Sequence, residues 1–258
     1  MINDILNKKL EPVKSLTEIL KKHSGRDSTG TISVRHQGGR QKRYYRLIDF
    51  KRDKKNIEAE VIQIELDPNR NAHIALVQYK DGVKNYIICP KDIVVGSKII
   101  SGDNVEIKIG NALPLKNVPL SVQVHNVEIN PGKGGQMMRG AGSVATVVAK
   151  ESPYVNLKLP SGEVKKFLEN CYATIGQVGN IQHKDEIVGN AGRNILRGIR
   201  PTVRGTAQNP RSHPHGGGEG RSGEGMHPKT PWGKSARGTR TRNKRNWTSK
   251  LIVERRKK

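Results

Sequence analysis

Between Asn209 and Gly220 the chain reads Asn209-Pro210-Arg211-Ser212-His213-Pro214-His215-Gly216-Gly217-Gly218-Glu219-Gly220, a glycine run opened by two histidines, without a single Leu, Ile, Val, Met or Phe. It lies in residues 191–258, which hold 18 Lys and Arg against 3 acids, a net +15 in 68 residues. Residues 31–190 hold 23 against 16, a net +7. A segment so poor in apolar side chains cannot offset its conformational entropy with a core, and its like charges repel one another. Its shape must therefore come from a polyanion, and the sign of the charge points to nucleic acid.

The remainder of the composition sharpens this. The whole chain has 258 residues, 33% hydrophobic, with a formal charge of +24. That allows one or two modest domains plus tails, and it favours an extended polyanion over a small acidic ligand, which cannot neutralise charge spread along a chain. Cys89 and Cys171 are single and far apart, so neither a zinc knuckle nor a disulfide framework is expected and a reducing compartment is. No apolar stretch approaches the roughly 20 residues that span a bilayer, and residues 1–24 lack the continuous apolar region of a signal peptide. The expectation is a soluble protein, not secreted, with no membrane partner.

Ser15-Leu16-Thr17-Glu18 has the capping-box form, and Leu16, Ile19 and Leu20 follow at helical spacing, predicting one short amphipathic helix inside an N-terminal extension, residues 1–29. Beyond it the pattern turns to short β-rich runs at residues 45–50, 57–66, 73–79, 85–89 and 105–109, punctuated by Asp67-Pro68-Asn69, Asp81-Gly82 and Ser101-Gly102-Asp103. Turn signals this close together predict a small barrel over residues 30–110 and argue against βαβ units. A second set at 121–129, 143–149, 154–159 and 163–168 predicts another barrel over 111–190, with the glycine-rich loop Pro131-Gly132-Lys133-Gly134-Gly135-Gln136 between its first two strands. Residues 191–258 are expected to be an extended basic tail.

Arg70 ends a turn, where a guanidinium clamps a phosphate with two hydrogen bonds or stacks on a base. Arg139 follows the 131–136 loop, whose glycines let backbone amides approach phosphates. With ten aromatic residues that do not cluster as an RNA-stacking platform would, recognition must lean on Arg and Lys, on shape, and on backbone pressed into grooves. In the tail the candidates are Arg237, Arg240, Arg242, Lys244 and Arg245, then residues 255–258. Trp232 and Trp247 argue that this is more than a solubilising run.

Other chemistries are open. His213, His215, Glu219 and His227 form a permissive metal-ligand spacing, and a metal-dependent hydrolase would use it, although a glycine loop is too soft to hold an open coordination site unaided. A chromatin-type DNA binder is a second alternative, disfavoured by the glycine-rich loops. Gly218-Glu219-Gly220-Arg221-Ser222-Gly223 satisfies G-x-G-x-x-G but neither follows a strand nor opens an apolar-periodic helix. Gly233-Lys234-Ser235 resembles the end of a Walker A loop, but position 228 is Pro where Gly is needed.

Several motifs occur in order: Gly25-Arg26, Arg35-His36-Gln37-Gly38-Gly39, Ile48-Asp49-Phe50-Lys51-Arg52, Asp67-Pro68-Asn69-Arg70, Gly110-Asn111-Ala112-Leu113-Pro114, Pro131-Gly132-Lys133-Gly134-Gly135-Gln136, Arg200-Pro201-Thr202-Val203-Arg204-Gly205, His213-Pro214-His215-Gly216-Gly217-Gly218-Glu219-Gly220 and Thr230-Pro231-Trp232-Gly233. From about residue 25 onward the chain thereby resembles the family of the universal second protein of the large ribosomal subunit, in its bacterial form. Arg40 stands where that family usually has a third glycine. The resemblance implies an OB-like RNA-binding first barrel and an SH3-like second barrel. It also implies a structural rather than enzymatic role without a cofactor or resident metal, on a ribosome that is bacterial and cytoplasmic or, alternatively, organellar. Implied partners are large-subunit, 23S-type rRNA, other ribosomal proteins and the small subunit at an intersubunit bridge, with no DNA. Implied RNA contacts are Arg35, His36, Lys51, Arg52, Arg70, Lys133, Arg139, Arg200, Arg204, His213, His215 and Arg221. His213 is further implied to lie near the peptidyl-transferase region, whose architecture, with subunit association and tRNA positioning, the protein would support.

Overall fold

In the computed structural model, which describes residues 11–243 and 245–256, the turn signals sit where the chain reverses. Strands β1 (Thr17–Ile19) and β2 (Tyr44–Arg46) pair with each other. Strands β3 (Ala59–Glu65), β4 (Ile74–Tyr79), β5 (Lys84–Ile88) and β6 (Lys98–Ile99) form an antiparallel sheet in the order β5-β4-β3-β6. Asp67 closes the first turn by accepting from the Asn69 amide at 2.9 Å through its side chain, and Gly82 closes the second with φ +82°, a conformation costly for any side chain. A bulge between Val61 and Gln63 bends β3 and curls the sheet around Val61, Val77, Ile87 and Ile99.

The later strands are β7 (Ala112–Pro114), β8 (Gln123–His125), β9 (Val127–Glu128), β10 (Gly135–Met137), β11 (Ala145–Glu151), β12 (Tyr154–Lys158), β13 (Val164–Leu168), β14 (Tyr172–Ile175) and β15 (Ile252–Glu254). Seven of them make one curled sheet in the order β15-β13-β12-β11-β8-β14-β7, and β9 pairs with β10. Its core holds Leu113, Leu115, Val124, Leu157, Phe167 and Ile175, and each such side chain contributes roughly 1.5–3 kcal/mol by leaving water. The fold is thus mainly β, an OB-like barrel followed by an SH3-like barrel.

Three local expectations are corrected. The predicted N-terminal helix shrinks to a single 3-10 turn, Lys14–Leu16, after which Thr17–Ile19 is a strand. Pairing with Tyr44–Arg46 and packing of Val13 and Leu16 on Ile74, Leu76 and Tyr86 outweigh a capping pattern in so short a segment. Residues 105–109 form no strand, and Ile107 and Ile109 remain exposed, so alternation alone did not find a partner. The run 121–129 breaks at Asn126, whose φ of +50° separates β8 from β9.

The chain divides into two compact units. The first comprises residues 11–20, 43–187 and 247–256 of the described chain and contains both barrels. The second comprises Lys21–Lys42 with Val188–Asn246, so residues 30–42, expected at the start of the first barrel, fall within it. In this second unit a short α-helix, Ala191–Arg197, ends on Gly198 at φ +91°, whose N–H reaches back to Asn194 and Ile195. Residues 36–41 run antiparallel to 196–200 through Gly38 N–H to Gly198 O (2.8 Å), Arg200 N–H to His36 O (3.0 Å) and Gln41 N–H to Leu196 O (3.0 Å). Among its described residues only Gly25, His213 and His215 are buried.

Candidate RNA interface

Asp67 is buried, and its carboxylate accepts from Arg70 Nε at 2.6 Å while Arg46 lies 3.8 Å away. Arg46 also approaches Glu65 at 3.6 Å, and Glu65 accepts from the Tyr86 hydroxyl at 2.8 Å. Burial raises the Glu65 carboxyl, opposed by the Tyr86 hydrogen bond and Arg46, and burial likewise pushes Tyr86 up to about 12. This polar chain fixes Arg70 through Nε alone and leaves its two Nη groups unused by Asp67. The guanidinium sits 5.5 Å from the Tyr45 ring and 5.9 Å from Phe50.

Arg139 meets the same Phe50 ring, its guanidinium 4.3 Å from the centroid, and donates to Gly135 O at 3.4 Å. Such stacking holds each cation with roughly 0.5–1 kcal/mol at an exposed site. Phe50 is placed by its own carbonyl, which accepts from Gly135 N–H at 2.9 Å and from Asn126 Nδ2 at 3.3 Å. Gly134 has φ +83°, and a Cβ there would lie 2.9 Å from Lys51 Cγ and 3.3 Å from backbone of Phe50 and Lys51, so the two loops approach only because the side chain is missing. Lys51 and Lys133 are exposed beside this contact. Arg70, Arg139, Lys51 and Lys133 are therefore gathered on loops joined at Phe50.

Arg52 departs from the expectation. It is 4% exposed, has φ +57°, and directs its guanidinium to Gly110 O at 3.4 Å, so its charge serves inside the fold. The loop amides are corrected as well. Gly132 and Gly134 donate to Glu128 at 3.2 and 2.8 Å, Lys133 to Asn130 O at 3.3 Å and Gly135 to Phe50 O, which leaves side chains to meet a phosphate here.

In the second unit Arg35 lies over the Trp232 ring at 5.3 Å, and the 36–41 pairing sets His36 beside Arg200. A Cβ at Gly38 would strike Arg200 Cγ at 2.9 Å. Arg200, Arg204, Arg221, Arg237, Arg240, Arg242 and Arg245 are exposed, Lys244 and residues 257–258 lie outside the described residues, and Arg255 and Arg256 are exposed. His213 and His215 are each only 8% exposed, contrary to the expectation of surface contacts. Their rings stack at 5.2 Å; His213 Nδ1 accepts from the His215 amide at 3.1 Å, and His215 Nε2 accepts from the Lys229 amide at 2.8 Å. His215 Nδ1 then donates to Glu224 O at 2.9 Å, which fixes its tautomer. A Cβ at Gly205 would fall 2.5–2.7 Å from the His213 ring. Both nitrogens of His215 are thus engaged by backbone, and among the described residues no three His, Cys, Asp or Glu come together as metal ligands.

Phe50, Tyr45, Asp67 and Glu128 were not singled out as site residues from the sequence, although Phe50 and Asp67 lie within its motifs. Phe50 carried a signal, a lone aromatic ring followed directly by two cations. Glu128 carried none, because its partners lie four, six and 44 positions away.

Residues 13–101 match the family model described as Ribosomal Proteins L2, RNA binding N-terminal domain. Residues 108–233 match the one described as Ribosomal Proteins L2, C-terminal domain. Among the described residues no helix is long and apolar enough to cross a membrane.

Proposed function

The chain belongs to the ribosomal protein L2 family, a structural, RNA-binding constituent of the large ribosomal subunit, and from that premise we propose that the Phe50 surface is its principal folded contact with rRNA. The observation that carries this is the convergence of Arg70 and Arg139, far apart in sequence, on one phenylalanine ring. Pre-positioned guanidinium groups have lost rotamer freedom before RNA arrives and engage phosphate bidentately or stack on bases. Lys51 and Lys133 add point charges alongside them.

We read residues 30–110 as the OB-like RNA-binding domain and 111–190 as the SH3-like domain. The second unit, with Arg35, His36, Arg200, Arg204, Arg221, Arg237, Arg240, Arg242, Lys244 and Arg245, lies along folded rRNA as a charge-neutralising element. Its loop built on His213 and His215 approaches the peptidyl-transferase region and supports its architecture through shape, because the rings hold the loop and do not reach outward as surface contacts. Subunit association through an intersubunit bridge and tRNA positioning follow from that placement. We read the host ribosome as bacterial, with an organellar ribosome as the alternative.

The test is binding of the full chain to an rRNA fragment with and without Arg70→Ala plus Arg139→Ala. The double variant is expected to lose more affinity than removal of residues 255–258. Equal or reversed losses would mean that charge count, not placement, governs binding. A preference for duplex DNA would overturn the assignment outright.

A further inference from the structure

Three amides from two parts of the second barrel converge on one buried carboxylate. Glu128, 2% exposed on β9, accepts from Gly134 N–H through Oε1 at 2.8 Å, and through Oε2 from Gly132 N–H at 3.2 Å and Tyr172 N–H at 3.0 Å. Gly132 and Gly134 have φ +75° and +83°, the left-handed conformation that turns successive amides to one side of the chain. A concavity of amides around such glycines ordinarily takes a phosphate or another external anion. In this loop the chain supplies the anion itself.

We propose that Glu128 is a positioning residue for the RNA surface: its carboxylate fills the amide concavity of residues 132–134, locks the loop to β14 through Tyr172, and so aims Lys133 and Arg139 outward. The proposal rests on the reading of Lys133 and Arg139 as RNA contacts. An RNA phosphate then meets these side chains and not the loop backbone. Charge-assisted hydrogen bonds of this kind are about twice as strong as neutral ones. Removing the carboxylate leaves three donors without their acceptor, two of them on glycines whose backbone freedom is large, so the loop loses its shape before the barrel loses its core.

The experiment compares full-length Glu128→Ala, Glu128→Gln and the pair Lys133→Ala plus Arg139→Ala in binding to the rRNA fragment, with formate added at constant ionic strength. If the loop of Glu128→Ala holds its binding shape about one-tenth of the time, affinity falls about tenfold. Formate, a carboxylate small enough for the vacated space, is expected to restore most of that loss and to do nothing for the Lys133→Ala plus Arg139→Ala pair. Glu128→Gln keeps the volume and one acceptor but sets an NH2 group against N–H donors. It should bind with intermediate affinity and show faster amide exchange at Gly132, Gly134 or Tyr172. Wild-type affinity in both Glu128 variants, alongside a loss in the Lys133 and Arg139 pair, overturns the positioning role while leaving the RNA reading intact. No loss in that pair sinks the RNA reading instead. An affinity loss in a folded Glu128→Ala that formate does not touch also overturns the proposal, and if that variant fails to fold, Glu128→Gln with wild-type affinity despite exposed amides does the same.

Discussion

Residues 43–187 carry 20 Lys and Arg against 16 acids and enclose apolar cores, whereas residues 21–42 and 188–246 carry 19 against 3 and bury no apolar side chain among those described. The first region is held by what it hides. The second is held by what its backbone can bond, through glycines that let chain segments touch and imidazoles that accept from main-chain amides. A net +16 in 81 residues opposes compaction, and only a counter-charge removes that opposition. The contrast teaches that one chain can hold a self-sufficient scaffold together with an element whose stability belongs to its complex.

The widest gap should appear in salt. If the second region supplies 6–10 phosphate contacts, affinity for the rRNA fragment should fall about 10³- to 10⁵-fold between 50 and 200 mM salt. Neutralising Arg237, Arg240 and Arg242 together should flatten the log-log slope by about 2–3. Binding titrations across salt would test this, and an unchanged slope would break the division of labour.

Core truncation should then separate the regions by stability. Leu157→Ala is expected to cost about 2–5 kcal/mol in urea unfolding, since Leu157 is fully buried. Ile199→Ala, at 54% exposure in the second region, should stay within about 0.5 kcal/mol. A large loss at Ile199 would mean that the second region has an apolar core of its own.

Acid should weaken the first region through a buried imidazole. His125 is fully buried, donates Nδ1–H to Gly176 O at 2.8 Å, and burial depresses it from 6.5 to about 4. The unfolded chain therefore binds a proton that the folded one refuses, so stability is intact above pH 6.5 and falls as pH drops towards 4, by about 3 kcal/mol in all. Urea melts at pH 7 and 4.5 would measure this slope, and a flat response would show that His125 titrates normally.

The smallest effect concerns glycine. A Cβ at Gly216 would press on Asn209 and Gln208 backbone at 2.6 Å, whereas Gly223 has nothing within 4 Å and no positive φ. Gly216→Ala should cost about 1–3 kcal/mol of local opening and Gly223→Ala about zero, as read by amide exchange at Lys229, whose N–H bonds to His215. Equal exchange in the two variants would mean that close backbone packing does not hold the loop.

Much of the scaffold was legible because β3, β4, β5, β12 and β13 are short β-rich runs bounded by turns with Gly, Asp and Pro. The failures share a cause, which is dependence on remote partners. Nothing near Ser15 announces β2, and nothing near Arg52 announces the Gly110 carbonyl. His213 and His215 were legible as special residues but not as buried ones, because Gly205 and the Lys229 amide complete their site. Arg70 and Arg139 were named from their turn and glycine-loop positions and again from the resemblance, yet their meeting point on Phe50 exists only in three dimensions.

The pairing of β15 with β13, Val164 to Glu254 and Lys165 to Ile252, joins positions nearly 90 residues apart. During synthesis at about 5–20 residues per second, β13 must wait roughly 4–17 s for its neighbour to be made. For that interval it is an open edge on an otherwise finished sheet, next to apolar Ile129, Phe167 and Leu168, and open edges recruit stray strands. Lys165 and Lys166 sit on that strand, and two adjacent positive charges discourage foreign pairing until the proper partner arrives. In the finished fold the same two lysines lie over Phe167 and Tyr154, and Lys166 reaches Glu151 at 3.4 Å, so replacing both with Thr would remove those contacts and also make the nascent chain prone to aggregate.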